Sequence, residues 1–271
     1  MSLPRSVQLP SPGASAAGLL QQALPLPSGW ERGISFAQTG CLAPFVVGEC
    51  PSADDLKAAQ RPGAAVTFRP VQVGQAVECS TLSGADPVDA GALLDVTASD
   101  ALEAELYAAT ASTRDKPPDP ALGNPSLSTS ITSDLGDLDD VVQAVGCAEQ
   151  TAAGLVHGRR LWVHLSVAAA AAAAAAQVIW RDGTRWRTTY GSTVLISPNL
   201  VAPAGTVTSL PVFVTLPVYA GLGQRQVLQD VDRTVNTATW RVEDIGLVAF
   251  DPCVVVIAGT GVTCSAAAGG G

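Results

Sequence analysis

An α+β fold is predicted from three observations. Two long helical patterns occupy the middle of the chain. Runs rich in β-branched and aromatic residues fill its second half. The regular strand–helix–strand rhythm of a doubly wound protein is missing, so the strands read as a largely antiparallel sheet mixed with helices. No repeat of solenoid type is present.

The elements follow in chain order. Residues 1–28 carry Pro4, Pro10, Pro12, Pro25 and Pro27 and cannot form a continuous helix. They read as an extended arm or a disordered tail. In residues 29–83, "CLAPFVV" and "VTFRPVQV" are strand-like, separated by a Pro- and Gly-marked excursion from Gly48 to Gly63. A long hairpin or extended loop fits, and Pro70 points to an edge or protruding strand.

Asp86 is placed to cap a helix with Pro87 at its first position, so Asp86–Ala111 is expected to be helical, with Leu102, Leu106 and Ala109 on one face. Unbroken, it would be about 36–39 Å long. Thr97 to Ser99 is the expected break or bend. Residues 113–133, with four prolines, read as a long loop. A second helix is expected at Asp134–Ala153, with Asp134, Asp137, Asp139 and Asp140 at its positive end, an apolar stripe of Leu135, Leu138, Val142 and Val145, and Gly154 as its stop.

Strand and helix then alternate. "GLVHGRRLWVHL" reads as strand. Val167–Ile179, with nine consecutive alanines, reads as a helix capped by Ser166. "RTTYGSTVLIS" and "LPVFVTLPVYAG" read as strands. "TVNTATWRVEDIGLVAFDPCVVVIAG" reads as two strands divided near Gly246 or Asp251, and "SAAAGGG" as a flexible tail.

Composition bounds the function. Of 271 residues, 47% are apolar, enough for one large core or two smaller ones, and only 14% are charged. So few charges fit either surface hidden against neighbouring subunits or a large core. The net charge is −9 and no Lys/Arg-rich run exists, which argues against tight sequence-independent DNA binding. A chain of this charge can still enclose nucleic acid without gripping it. Six cysteines without a CxxC pair read as buried free thiols more readily than as a disulfide framework. The N-terminus lacks the apolar stretch of a secretory signal, and the ten-residue run Val167–Ala176 is too short to span a bilayer. These features imply a soluble chain made in the cytoplasm.

No catalytic constellation stands out. His157 and His164 are the only histidines, and seven apart on a strand they face opposite ways. "DLGDLDD" lacks the glycine and glutamate spacing of an EF-hand loop. "GLGQ" at 221–224 has no third glycine and reads as a turn. There is no nucleophile elbow and no P-loop. Arg159 and Arg160 beside Trp162, and Arg181, Arg185 and Arg187 around Trp180 and Trp186, are the only basic-aromatic neighbourhoods. They read as solvated or salt-bridged arginines; a nucleic-acid platform would need them on one face. No catalytic, cofactor-binding or metal-ligating residue is assigned.

The order of elements and several local stretches carry a resemblance. "DALEAELYAAT" (100–110), "GNPSL" (123–127), "EQTAAGLVHGRR" (149–160), "TTYGSTVLISPN" (188–199) and "DRTVNTATWRVEDIGLVAFDPC" (232–253) are similar to stretches of capsid proteins from phages that infect actinobacteria. The chain resembles the HK97-type major capsid proteins of tailed double-stranded DNA phages, a family related to encapsulin shells. The resemblance implies an N-terminal arm at 1–28 and an extended E-loop region with flanking strands at 29–83. It also implies a peripheral domain at 84–155 with a long spine helix, whose second helix borders the axial domain, and a compact axial domain at 156–271 with a flexible tail.

The function so implied is a structural, non-enzymatic subunit that self-assembles as hexamers and pentamers into an icosahedral phage head, assembled in the host cytoplasm and resident in the virion. It would enclose DNA without sequence-specific binding and without a membrane. A second capsid or decoration protein, a portal and a scaffold are candidate partners. Lys57 is the only lysine of the E-loop region, so non-covalent assembly is expected over covalent cross-linking. Trp30, Phe36, Phe45, Phe68, Arg69, Arg159 and Arg225 are the candidate inter-subunit contacts. An encapsulin-like compartment and a cytosolic α+β enzyme are the rival readings.

Overall fold

A computed structural model of the chain describes residues 18–36, 65–80, 87–108, 124–156, 159–232, 234 and 237–261. Expectations for the arm before residue 18, "CLAPFVV", Phe45, Lys57, the loop 109–123, His157 and the tail fall outside these residues.

The first half supplies a short helix, a 3-10 turn, three strands and the long helix. These are α1 (Leu19–Gln22), the turn Trp30–Arg32, β1 (Ile34–Phe36), β2 (Val66–Phe68), β3 (Val71–Ser80) and α2 (Pro87–Ala108). β1 and β2 pair antiparallel as a separate ribbon. "VTFRPVQV" is strand on both sides of Pro70, which lacks a ladder donor and falls in the break between β2 and β3.

α2 starts at Pro87 as expected but does not break at Thr97–Ser99. The Thr97 hydroxyl donates to Leu93 O at 3.0 Å and accepts from Gln75 Nε2 at 2.9 Å, so the polar side chain is satisfied within the helix and against β3. Its 22 residues give about 33 Å. Leu94, Ala98, Leu102 and Leu106 form its buried stripe.

The second long helix is displaced. Residues 133–137 are a strand, β4 (Ser133–Asp137), and α3 runs Val141–Val156. Tertiary bonds override the local charge pattern here. The Asp137 carboxylate accepts bonds from the backbone and hydroxyls of Thr208 and Ser209, and β4 joins a sheet in parallel. Only Asp140 performs the expected helix-end role, accepting from Gln143 N at 2.8 Å. The buried stripe is Val141, Ala144, Val145, Ala148, Ala152 and Val156; Val142 is exposed, while Leu135 and Leu138 pack on the same cluster from β4 and the turn after it. Gly154 does not stop the helix, because buried Val156 anchors a further half-turn.

The rest is strand-dominated: β5 (Trp162–Ser166), α4 (Val167–Ala175), β6 (Ile179–Asp182), β7 (Arg185–Thr188), β8 (Thr193–Ser197), β9 (Pro211–Thr215), β10 (Val218–Leu222), β11 (Gln226–Asp232), β12 (Thr237–Phe250) and β13 (Val255–Gly259). Ser166 caps α4 through its Oγ, which accepts from Ala169 N at 3.2 Å. The helix ends at Ala175, short of Ile179. Gln177 adopts φ +58°, Gln177 N donates to Ala174 O and Val178 N to Ala173 O, a Schellman ending without glycine. β11, "QVLQDVD", has no clean alternation and is not legible as a strand. β12 runs unbroken through Gly246; the division falls at Asp251.

Two sheets carry the architecture. One is a seven-stranded mixed sheet in the order β4-β13-β9-β5-β8-β7-β6. In the other, β12 pairs antiparallel with β3 along one edge and with β11 and then β10 along the opposite edge. The stretch 156–271 thus contributes strands to both sheets. α2 lies across β12 and β3, and α3 and α4 cover one face of the seven-stranded sheet. Strand residues alternate cleanly between two cores. Trp162, Leu195, Phe213, Val255 and Ile257 face α2 and the long ribbon; Val163, Leu165, Val194, Val212, Val214, Val256 and Ala258 face α3 and α4. A sheet covered on both faces explains the near-continuous apolar runs in sequence.

The cysteines differ from the expectation of buried free thiols. Cys147 is free but exposed on α3, and Cys253 is disulfide-bonded.

Candidate functional site

Among the buried polar side chains, three groups are candidates for chemistry. The first centres on Glu103 of α2, which is 2% exposed. It accepts from Leu19 N at 2.9 Å, from the Ser197 hydroxyl, and at 3.5 Å from Ser99 Oγ and Asn199 Nδ2. The carboxylate therefore ties α1, α2 and the end of β8 together.

The second is a relay through His164 on β5. Thr215 donates its hydroxyl to Leu216 O at 2.7 Å, so it accepts from His164 Nε2–H at 2.9 Å. Nδ1 is left to accept from the Tyr107 hydroxyl at 3.2 Å. Burial lowers the His164 pKa to about 3 and raises the Tyr107 pKa well above its ordinary value, with the Glu103 charge adding to the latter. Both side chains stay neutral, and every proton in the relay already has an acceptor. The group ties α2 to β5 and β9 through neutral side chains.

The third is Glu149 of α3, which accepts from the Thr188 hydroxyl at 2.7 Å and whose pKa is raised by burial. The Thr188 and Ser192 hydroxyls are its partners, which tie α3 to β7 and the turn after it. Among the described residues no three His, Cys, Asp or Glu side chains gather to hold a metal ion, and no helix is long and apolar enough to cross a membrane.

The contact candidates from sequence distribute unevenly. Phe68 is 1% exposed and packs edge-on against Phe36 and Phe250, at ring separations of 5.7 and 5.1 Å, so it has no surface to offer a neighbour. Phe36 is half-buried against Phe68 and Tyr219. Trp30 lies half-buried over Gly223, where a Cβ would come within 3.3 Å of the indole. These aromatics are strongly apolar, and the chain's own core claims them first. Arg225 forks onto buried Asp244, with Nε and Nη2 donating at 3.1 and 3.0 Å, and reaches Asp95 of α2 at 2.5 Å; these bonds raise its pKa. It clamps the β10–β11 junction to β12 and α2. Arg69 is exposed, with its backbone held both ways by the Asn124 amide. Arg159 is exposed, 3.9 Å from Asp251, and Phe45 lies outside the described residues.

Several residues that present apolar surface are not among those candidates: Val227, Leu228 and Val231 on β11, Ile245 on β12, Leu93 on α2, Tyr190 after the β6–β7 hairpin, and Trp180 on β6, which the sequence marked only as a neighbour of arginines. The available signal was the adjacent Val227–Leu228 pair, which puts an apolar side chain on each face of a strand.

The sequence matches no protein-family model and no curated protein. Solved structures do resemble the chain along its whole length. The capsid of a native GTA particle superposes with a TM-score of 0.58 at 12% identity, covering 97% of this chain and 96% of that one. A chain of Gordonia phage Cozz gives 0.54 at 13% identity over 97% and 92%. A chain of Mycobacterium phage Ogopogo gives 0.55 at 15% identity over 94% and 96%. This chain therefore has the fold of the GTA capsid subunit and of these phage proteins.

Proposed function

We propose that the protein is the structural shell subunit of a phage head, assembling with copies of itself into hexamers and pentamers around double-stranded DNA. The observation that carries this reading is the end-to-end match with the GTA capsid subunit, which covers nearly all of both chains. The Glu103 carboxylate and the Tyr107–His164–Thr215 chain support it, because their hydrogen-bond partners lie within the chain. On this reading α2 is the spine helix, the β3–β12 ribbon extends the peripheral domain, and the seven-stranded sheet with α3 and α4 is the axial domain. Residues 1–28 and 29–83 supply the arm and the E-loop region that lap onto neighbours. The protein resides in the virion, and neither membrane nor cofactor enters its role.

Expression of the full chain, followed by sedimentation and negative-stain electron microscopy, tests the proposal. Closed shells or capsomer rings are the expected result. A subunit that stays monomeric at high concentration, alone and with the other head proteins of its genome, overturns it.

A further inference from the structure

The seven-stranded sheet has two unlike edges. At one end of the strand order stands β6, paired only with β7 among the described residues; at the other stands β4, paired only with β13. The β6 edge is basic. Arg181, Arg185 and Arg187 gather on its hairpin with a single carboxylate, Asp182, in a chain of net charge −9. Arg187 is held by Asp182 and by Gly191 O, and Arg181 Nε donates to Gly183 O at 3.0 Å; Arg181 is exposed and Arg185, across from Asp182, is half-buried, so the hairpin keeps a net positive charge. Trp180, 43% exposed, lies on the same strand. The β4 edge is acidic. Asp134, Asp139 and Asp140 are exposed on β4 and on the turn into α3, and no lysine or arginine occurs between residues 124 and 158.

Strand direction brings these charges into register. β4 is parallel to β13, β13 and β5 both run antiparallel to β9, β5 is parallel to β8, and β8 and β6 both run antiparallel to β7. β6 and β4 therefore run the same way. The tip of the β6–β7 hairpin and Asp139 and Asp140, which follow β4, lie at the same end of the sheet, with Asp134 about 10 Å back along the same edge. The edges stand about 29 Å apart across six strand spacings. Moving one copy sideways by the width of the sheet sets the basic edge of the first against the acidic edge of the second.

Resting on the shell reading above, we infer that the capsomer ring is closed by head-to-tail contact between sheets, with Arg181 and Arg185 of one copy facing Asp134 and Asp139 of the next and Trp180 covering the seam. The occupant of the basic edge is a second copy of this chain. Each copy uses two different edges, so the contact is heterologous, and rotation between copies makes it close into a ring. Opposite charges at the seam fix orientation and reject edge-to-edge contacts of like kind.

Charge exchange tests this directly. Arg181→Glu with Arg185→Glu makes both edges acidic; Asp134→Arg with Asp139→Arg makes both basic. Asp140 is left alone because it caps α3. Each double variant should raise the critical concentration for assembly at least about tenfold, and the fourfold exchange should recover it. An equimolar mixture of the two double variants should assemble only by alternation. Alternation closes a ring of six but not a ring of five, so the mixture should form sixfold sheets or tubes and no closed shells. This rescue also proves that both variants fold.

Normal closed shells from either double variant alone would overturn the inference. So would shells of normal form from the arginine variant that merely hold less nucleic acid, because the basic edge would then face DNA. Failure of the wild-type chain to assemble at all would instead count against the shell reading itself.

Discussion

Replacing Glu103 with alanine should loosen the joint between α1, α2 and the seven-stranded sheet. The carboxylate is the acceptor for two buried donors, Leu19 N and the Ser197 hydroxyl, one on each oxygen. A buried donor left without an acceptor costs about 1–3 kcal/mol, so the two together give about 2–6 kcal/mol. Glu103→Gln keeps one acceptor oxygen and turns an amide N–H toward the other donor; its cost should be about half as large. The assay is urea unfolding of the purified chain, with amide exchange read at Leu19. A local loss of about 2 kcal/mol lowers protection of that amide roughly thirtyfold. If Glu103→Ala changes stability by less than about 0.5 kcal/mol, or if Leu19 exchanges no faster while the whole protein weakens, the joint does not depend on this carboxylate.

The remaining predictions concern His164, α4 and Gly246. His164 is neutral in the fold with its pKa lowered to about 3, against about 6.5 when unfolded, so the unfolded chain binds the extra proton. Its contribution is complete above pH 6.5 and is lost as pH falls from 6.5 toward 3; His164→Gln should flatten that part of the stability–pH curve, measured by chemical denaturation. Ala173 is fully buried under α4 whereas Ala171 is exposed, so Ala173→Leu should cost about 1–3 kcal/mol and Ala171→Leu almost nothing, as read by thermal melts. Gln177 holds a left-handed φ of +58°, so Gln177→Gly should raise stability by about 0.5–1 kcal/mol, and a lowered melting temperature would refute that. A Cβ at Gly246 would lie 2.9 Å from Leu102 Cδ2, so Gly246→Ala should push α2 off the ribbon and cost about 1–2 kcal/mol, seen as a lower denaturation midpoint.

Where a segment's own residues decide its structure, the sequence is a good guide. Pro87 opens α2, Ser166 caps α4, Pro70 separates two strands, and the apolar runs at 162–166, 211–215 and 255–259 are strands as expected. It misleads where distant partners decide. "DLGDLDD" has the charge of a helix start, yet Thr208 and Ser209, some seventy residues away, bind Asp137 and draw the segment into the sheet. β11 has little local strand character and exists because β12 offers a long open edge. The candidate contacts show the same division. Aromatic character marked Phe36 and Phe68 as sticky but could not say whether the chain's own core or a neighbour would take them. Arg225 was visible as a cation, but Asp95 and Asp244 lie far from it in sequence.

The alanine helix and the polar relay answer one problem from opposite sides of the same sheet. A sheet buried on both faces needs cover on both, and hydrocarbon contacts alone do not fix the angle at which the cover lies. On the α4 face, Ala169, Ala170 and Ala173 lie against buried valines and leucines, and side chains this small let the helix approach closely enough for its backbone path to be set by contact. On the α2 face the cover is a 22-residue helix joined to a second sheet, a long lever that could pivot on a greasy contact. Directional bonds stop the pivot there. Tyr107 reaches His164, which in turn holds Thr215, and four residues earlier Glu103 reaches Ser197 and Leu19. Residues four apart on a helix share a face, so two neighbouring polar ties define a direction where one would define only a point. If the chain builds a shell as proposed, the angle between its two sheets would set the curvature of what is built from it. If the ties serve that purpose, losing both Tyr107 and Glu103 should broaden the distribution of particle diameters more than it lowers the yield of assembled protein. Particles of unchanged size would show that the angle is set elsewhere.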